Sequence, residues 1–92
     1  MTDDWDEIGF IISSKYRVGV LKRLVEGPAT PSKISEDEDI SIASVSHALK
    51  QLRERDLVEL LVDEDRRKGR VYGITERGER LWTEIQNREL VD

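Results

Sequence analysis

The sequence of 92 residues contains no cysteine and a single histidine, His47. The absence of cysteine excludes disulfides, thiolate zinc sites and thiol-based sensing of metals or oxidants. A single histidine argues against a multi-histidine metal site, and the sequence shows no nucleophile–base pair and no phosphate-binding loop. We therefore expect neither an enzyme nor a bound metal or cofactor.

Long apolar runs are also missing, since none approaches the roughly 18 residues of a membrane-spanning helix. The first seven residues are acidic, whereas a signal peptide has a basic start. We therefore expect a cytoplasmic protein. The length predicts one domain over residues 1–92, and a core this small would gain from dimerisation.

A surplus of positive charge is absent as well, because the net charge is −5. An acidic total argues at first against a nucleic-acid partner. The acids are clustered, however: residues 1–7 and 36–39 hold four each, and without these eight the chain has 12 acids against 15 bases. The densest basic run, from Arg66 to Arg70, can therefore form a local basic patch on an acidic molecule.

Apolar residues recur at helical spacing near the start of the chain, where Trp5, Ile8 and Ile12 share one face. A second helical segment, from about residue 14 to 26, ends at Gly27-Pro28 because proline cannot continue a helix. The pattern leaves open whether these two segments form one bent helix or two.

Two capped helices are predicted next. Thr30-Pro31 is a helix start, with threonine as the N-cap and proline at the first helical position of a short helix that ends near Asp37. Ser41 is the predicted N-cap of a longer helix. Ile40 and Val45 occupy the positions of a hydrophobic staple around this cap.

A β-hairpin follows, because residues 58–62 and 70–74 are rich in β-branched side chains and flank a polar segment that contains Gly69. Thr75 then caps a final helix that ends near Glu89. The order of elements predicts an α+β, mostly helical, winged helix-turn-helix fold with a two-stranded hairpin as the wing and with terminal helices.

The helix predicted over about 41–55 has one apolar face, formed by Val45, Ala48, Leu49 and Leu52. The opposite face is small and polar near its start, as a helix entering the DNA major groove requires. An ordinary solvated face has the same pattern, and this helix alone favours neither interpretation. The candidate DNA-contacting residues are Ser41, Ala43, Ser44, Ser46, His47, Lys50 and Gln51, together with Lys33 on the preceding helix.

Four cations lie near the hairpin tip: Arg66, Arg67, Lys68 and Arg70. Such a tip can follow phosphates or place arginine in a narrow minor groove. The alternative is a solvated charge run that protects an edge strand from aggregation, which the acids at 63–65 favour. We favour DNA contact, because the tip follows a candidate recognition helix in the order of a winged domain.

Two tryptophans lie near the two ends of the chain. A domain of this size has little interior for both, and tryptophan is enriched at protein interfaces. We therefore expect a homodimer through the terminal helices, about 4–13 and 76–90, although a conventional core would also explain these residues. The predicted interface residues are Trp5, Ile8, Ile12, Trp82 and Ile85.

Several segments together resemble prokaryotic winged-helix transcription regulators, nearest to the archaeal branch of the MarR-like and ArsR-like regulators. The most specific are Val45-Ser46 with Leu49 and Leu52 at helical spacing, then Leu57-Val58, then residues 70–74 leading into Thr75-Glu76-Arg77-Gly78. The resemblance covers roughly residues 10–82. In one place the chain departs from the family, because Glu38-Asp39 stands where a leucine-glycine pair is common.

The resemblance implies that residues 41–53 include the recognition helix, that residues 63–70 form the wing and that the terminal helices dimerise. It implies a sequence-specific regulator that binds double-stranded DNA. Independently of the resemblance, we expect repression, because a bare domain can block polymerase sterically. The competing interpretation is a protein-interaction module in a larger complex, which the acidic total favours and the basic wing disfavours. The operator and any small-molecule effector stay open.

Overall fold

The computed structural model describes residues 4–62 and 69–90. Its elements follow the predicted order and confirm the winged helix-turn-helix fold. They are α1 (Asp4–Ile12), α2 (Lys15–Val25), α3 (Pro31–Glu38), α4 (Ile42–Glu54), β1 (Val58–Val62), β2 (Val71–Ile74) and α5 (Glu76–Asn87). Within these two stretches, no helix has the length and apolar character needed to cross a membrane.

The N-terminal segment consists of two helices, which answers the question that the sequence left open. α1 ends at Ile12, and Ser14 has an extended backbone (φ −136°, ψ 119°) as the N-cap of α2. The Oγ atom of Ser14 accepts a hydrogen bond from the backbone N–H of Arg17 at 3.3 Å. The chain bends here because an N-cap leaves the helical conformation while its side chain pairs a free helical donor.

The three N-caps predicted for α3, α4 and α5 are confirmed. Thr30, Ser41 and Thr75 have extended backbones, and each side chain accepts a hydrogen bond from the N–H three residues later. The donor–acceptor distances are 3.2, 3.1 and 3.0 Å. Pro31 occupies the first turn of α3, where its missing N–H leaves no helical bond unmade.

The turn between α3 and α4 depends on Asp39, which adopts the left-handed conformation (φ 57°, ψ 48°). The N–H groups of Asp39 and Ile40 both donate to the carbonyl of Ser35. Glycine suits this conformation best, but aspartate tolerates it better than most side chains do. The chain therefore makes the short helix-turn-helix connection without the glycine that is common in the family.

The two strands form an antiparallel hairpin in which Leu60 pairs with Tyr72, and the register shifts between Leu60 and Val62. A backbone bridge that the sequence did not indicate places Ala29 beside Tyr72, with N···O distances of 3.0 and 2.9 Å. This bridge attaches the segment before α3 to the base of the wing. The helix-turn-helix and the wing are therefore held in one arrangement.

The core lies between the five helices and the base of the hairpin, with Ile34 as the buried side chain of α3. No polar or charged side chain of the described residues is buried. The core is therefore held by burial of apolar area. Its largest fully buried side chains include Ile8, Ile11, Leu21, Leu24, Ile34, Leu49, Leu52, Leu57, Leu81 and Ile85.

Three of the predicted interface residues belong to this core. Ile8 and Ile85 are 1% and 0% exposed, and Trp82 is 8% exposed. They are buried because α1 and α5 pack against each other and against α2 within one chain. This corrects the expectation that these three side chains face a second subunit. Of the predicted set, Trp5 is exposed and Ile12 is half-buried.

Candidate nucleic-acid interface

α4 has the two faces that its sequence predicts. Val45, Ala48, Leu49 and Leu52 are buried. On the other side, four of the predicted DNA-contacting residues are exposed: Ala43, Ser46, His47 and Lys50. Because the small side chains lie near the start of α4 and the lysine follows later, this face can approach a duplex closely and still carry positive charge.

Ser41 and Ser44 have a structural role at the start of α4. The Oγ atom of Ser41 accepts a hydrogen bond from the Ser44 N–H at 3.1 Å and donates one to the Ser44 Oγ at 3.0 Å. The Ser41 hydroxyl therefore uses its only proton within the cap. The other two residues at this end of α4, Ile42 and Ala43, are exposed and apolar.

Gln51 is held by an arginine from α2. Its Oε1 accepts a hydrogen bond from Nη1 of Arg17 at 2.9 Å. Arg17 also donates through Nε to the Phe10 carbonyl at 2.7 Å and through Nη2 to the Ser13 Oγ at 2.9 Å. Burial, and secondly the nearby charge of Arg55, lower the pKa of the Arg17 guanidinium. Arg17 thus links α4 to the α1–α2 junction, an interaction that the sequence pattern did not indicate.

A cleft of about 920 Å³ opens between the start of α3, the outward side of α4 and the base of the wing. Lys50 and Arg53 of α4 line it from one side, and Arg70 lines it from the wing. Glu54 is the acid among its lining residues. The cleft therefore joins the two regions that the sequence assigns to DNA contact, the recognition helix and the wing.

Arg53 is a candidate DNA-contacting residue that the sequence pattern did not single out. It is exposed in the last turn of α4 and shares the cleft with Ser46 and Lys50. The signal was present in the spacing, because residues at i, i+4 and i+7 lie on one side of a helix. Arg53 was missed because the prediction rested on the small, polar residues in the first half of the recognition helix.

Only part of the predicted wing belongs to the described structure. Arg66, Arg67 and Lys68 lie outside the described residues. Arg70 is exposed, and its Nη1 donates a hydrogen bond to the Tyr72 hydroxyl at 3.3 Å. Since Tyr72 is buried in the core, the base of the wing is anchored while Arg70 borders the cleft.

Lys33 is exposed at the start of α3, and its Nζ lies 3.6 Å from Asp37 one turn later. Asp37 also accepts a hydrogen bond from Nε of Arg23 at 2.8 Å. This bond is the largest cause of the lowered pKa of Asp37, and the charges of Lys33 and Arg23 add to it. An exposed ion pair contributes little in water, so a phosphate could displace Asp37 from Lys33 at small cost.

His47 lies on the flank of α4 that faces α2. It lines a pocket of about 290 Å³ together with Ser14, Tyr16 and Gln51. The two flanks of α4 therefore differ, because Lys50 and its neighbours border the wing whereas His47 borders the start of α2. Within the described residues, no group of three or more His, Asp or Glu side chains could hold a metal ion.

A charged network joins the terminal helices to the end of α4. The Glu7 carboxylate lies 3.3 Å from the guanidinium groups of both Arg55 and Arg77. The guanidinium groups of Arg17 and Arg55 each lie 4.0 Å from the centre of the Phe10 ring, within the range of a cation–π interaction. These contacts therefore hold α1 against the C-terminal end of α4, the helix that carries the candidate interface.

Trp5 is 57% exposed on α1, and the guanidinium of Arg88 lies 4.7 Å from its ring. Ile12, at the other end of α1, is half-buried against the core. Of the residues predicted for a dimer interface, these two retain accessible surface in the single chain.

Solved structures with this fold include bacterial regulators. NMB1585, a MarR family regulator from Neisseria meningitidis, is 26% identical with a TM-score of 0.72, covering 84% of this chain and 55% of that one. The reduced form of the transcriptional regulator YodB from B. subtilis is 23% identical with a TM-score of 0.79, and the match covers 98% of this chain and 89% of YodB. The homodimeric winged helix-turn-helix DNA-binding domain of Mb0332 from Mycobacterium bovis is 22% identical with a TM-score of 0.76. The match covers 95% of this chain and 79% of the Mb0332 domain. The resemblance to MarR-like regulators is thereby confirmed, and the two structures of lower identity share the winged-helix fold.

The chain spans about half the length of the MarR-family structures that it matches. No curated protein matches it. The sequence model of one family, described as the HVO_A0261 N-terminal domain, matches residues 5–91. Since this match extends over nearly the whole chain, the protein belongs to the HVO_A0261 N-terminal domain family and has the winged-helix fold of MarR-like and ArsR-like regulators.

Proposed function

We propose that the chain is a sequence-specific transcription regulator that binds double-stranded DNA as a homodimer. The observation that carries this proposal is the cleft at which α4 and the wing meet, with Lys50, Arg53 and Arg70 around it. Two separate elements thus bring cations to one side of a chain whose net charge is −5. The likeness to solved transcription regulators supports the proposal.

In the proposed complex α4 enters the major groove, with Ala43, Ser46 and His47 toward the base edges. Lys50 and Arg53 lie toward the wing, where phosphates border the groove. Lys33 and the wing residues 63–70 contact the backbone or the adjacent minor groove. The phosphate contacts supply most of the affinity, and the contacts of α4 supply the sequence preference.

Homodimerisation in this proposal uses the surface around Trp5 on α1, with Ile12 at its edge. An exposed tryptophan supports an interface, because tryptophan is enriched in the buried centres of protein contacts. The similarly folded domain of Mb0332 is homodimeric. A two-fold axis would present two α4 helices to half-sites roughly 34–36 Å apart, or a multiple of that distance.

Repression is the proposed sign of regulation, because a small domain bound at a promoter excludes polymerase from the same DNA. In vitro transcription from a bound promoter tests this. We expect transcription to fall as the protein is added. An increase in transcription would instead identify the protein as an activator.

The first test of DNA binding is fluorescence anisotropy with random-sequence and promoter-derived duplexes, titrated across potassium chloride up to high concentrations. We expect salt-dependent binding with a preference for some duplexes, and the slope of log Kd against log salt counts the phosphate contacts. The variant Lys50→Ala with Arg53→Ala should lower that slope by about two units. Arg80→Ala, on the exposed side of α5, is the matched control. Absence of binding at every salt concentration would overturn the proposal.

A protein-interaction module is the second candidate function, and the net charge of −5 favours it. It predicts no salt-dependent affinity for DNA and a stable complex with a different protein. If the anisotropy titration is flat, a pull-down followed by mass determination of the purified complex distinguishes such a partner from self-association.

A further inference from the structure

We infer that Ile42 contacts the 5-methyl group of a thymine and so determines part of the DNA sequence preference. The inference rests on the proposed function, because it requires α4 to enter the major groove. It begins from the finding that Ile42, the first residue of α4, is 47% exposed.

Local folding does not explain an isoleucine at this position. The hydrophobic staple around the cap uses Ile40 and Val45, of which Val45 is fully buried and Ile40 packs against the core. Ile40 also fills the space over Gly19, where an added Cβ would lie 2.7 Å from its Cδ1. The apolar contacts at the start of α4 are therefore complete without Ile42. Helix propensity does not favour it either, since β-branched residues rank below alanine.

The position of Ile42 directs its side chain toward the duplex in the proposed complex. The Cα–Cβ bonds of a helix tilt toward its N-terminus, so a first-turn side chain projects ahead of the helix end. Ile42 lies one turn before Ser46, which lines the cleft between α4 and the wing. Ile42 therefore belongs to the flank of α4 that continues to Arg53, seven residues after Ser46.

Thymine is the base that the exposed Ile42 side chain can recognise. The hydroxyls of Ser41 and Ser44 are bonded to each other within the cap. The side chains of Ile42 and Ala43 offer only alkyl groups, so they cannot pair with a donor or acceptor on a base edge. In the major groove thymine presents a methyl group, which apolar side chains contact. Against a phosphate or a guanine edge, the Ile42 side chain would cover polar atoms without pairing them.

The test uses the full chain and a duplex obtained by selection from random DNA. Each thymine is replaced in turn by deoxyuridine, which lacks only the 5-methyl group, and Kd is measured by fluorescence anisotropy. We expect at least one position at which the uracil duplex binds about fourfold more weakly, the change that corresponds to one buried methyl group. Ile42→Ala should bind the thymine and uracil duplexes equally at that position, and Ile42→Val should retain part of the difference.

The control variant is Val25→Ala, which shortens another exposed aliphatic side chain at the end of α2 and should keep the fourfold difference. The inference would be overturned by equal binding of the unmodified protein to all uracil duplexes, by a selected site without thymine, or by a uracil effect that survives Ile42→Ala. In each case the proposed function would stand. If no duplex binds at all, the proposed function fails and the inference fails with it.

Discussion

Arg17 makes three directional hydrogen bonds, to Phe10, Ser13 and Gln51, and so connects the α1–α2 junction to α4. Lysine keeps the charge at this position but lacks the planar fork that reaches three acceptors. We therefore expect Arg17→Lys to lower the free energy of unfolding by about 1–2 kcal/mol. We also expect weaker DNA binding, because the hydrogen bond to Gln51 helps to fix the position of α4.

Salt dependence separates this positioning role from direct binding of a phosphate. Arg17→Lys should weaken binding without changing the slope of log Kd against log salt, whereas removal of a side chain that binds phosphate lowers that slope by about one unit. Urea unfolding and anisotropy titrations measure the two effects. Arg80→Lys, at an exposed position on α5, is the control. A lowered slope in Arg17→Lys would show that Arg17 itself binds phosphate.

Single residues differ in how far the sequence predicts their roles. Thr30 and Ser41 were identified as caps because capping depends on atoms three residues away in the same segment. The bond between Arg17 and Gln51 could not be found, because 34 residues separate them and the periodicity of one helix says nothing about its neighbour. Asp39 lies between these cases: the resemblance located the turn before α4, but the absence of the usual glycine left its geometry open, and the structure shows the left-handed conformation.

Two helices contain glycines in opposite surroundings. A Cβ at Gly78 in α5 would collide with the carbonyl oxygen of Leu57 and lie 2.8 Å from Cγ1 of Ile74, whereas a Cβ at Gly9 in α1 would meet nothing within 4 Å. Gly78→Ala should therefore lower the free energy of unfolding by about 1–3 kcal/mol through overpacking. Gly9→Ala should raise it by about 0.5–1 kcal/mol, because alanine favours the helix. Urea midpoints measure both, and stabilisation by Gly78→Ala would contradict the close packing of α5 on the turn before β1.

The wing is the element whose binding to DNA most needs a direct test. Its base is fixed by the bridge between Ala29 and Tyr72, and Arg70 borders the cleft beside α4. The double variant Arg66→Ala with Arg67→Ala should weaken binding to all duplexes and lower the salt slope by about one unit for each phosphate that these arginines neutralise. Sequence preference in a site-selection experiment should stay the same. An unchanged slope would remove the wing from the proposed interface.

At the scale of elements, the sequence predicts type and order well because helical and strand periodicities are local. Strand β1 begins and ends where the pattern placed it. The bridge at Ala29 was missed, since a single backbone pairing leaves no side-chain pattern. The apolar faces of the terminal helices were identified, but periodicity does not tell whether an apolar face is covered by the same chain or by another. The structure shows that Trp82 is covered within the chain.

For the whole molecule, the two tryptophans therefore have different expected roles. Trp5 is 57% exposed, whereas Trp82 is 8% exposed among core side chains. A carboxylate at position 82 would be buried without a partner, and we expect Trp82→Asp to unfold the protein at ordinary temperature. A carboxylate at position 5 would be solvated in the single chain but would face its own copy across a two-fold axis.

We expect Trp5→Asp to separate a dimer into folded monomers. Sedimentation velocity at micromolar concentration should give a dimer for the unmodified chain and a monomer for Trp5→Asp, with helical circular dichroism retained. Because one α4 then binds without its partner, affinity for a two-half-site duplex should fall toward that for a single half-site, while the base preference within the half-site is unchanged. Glu76→Asp, a conservative change at an exposed position of α5, is the control. A monomeric unmodified chain would contradict the homodimer. A dimer that survives Trp5→Asp would place the interface away from α1 and α5, because Ile8 and Ile85 are buried in the core and have little area to offer a partner.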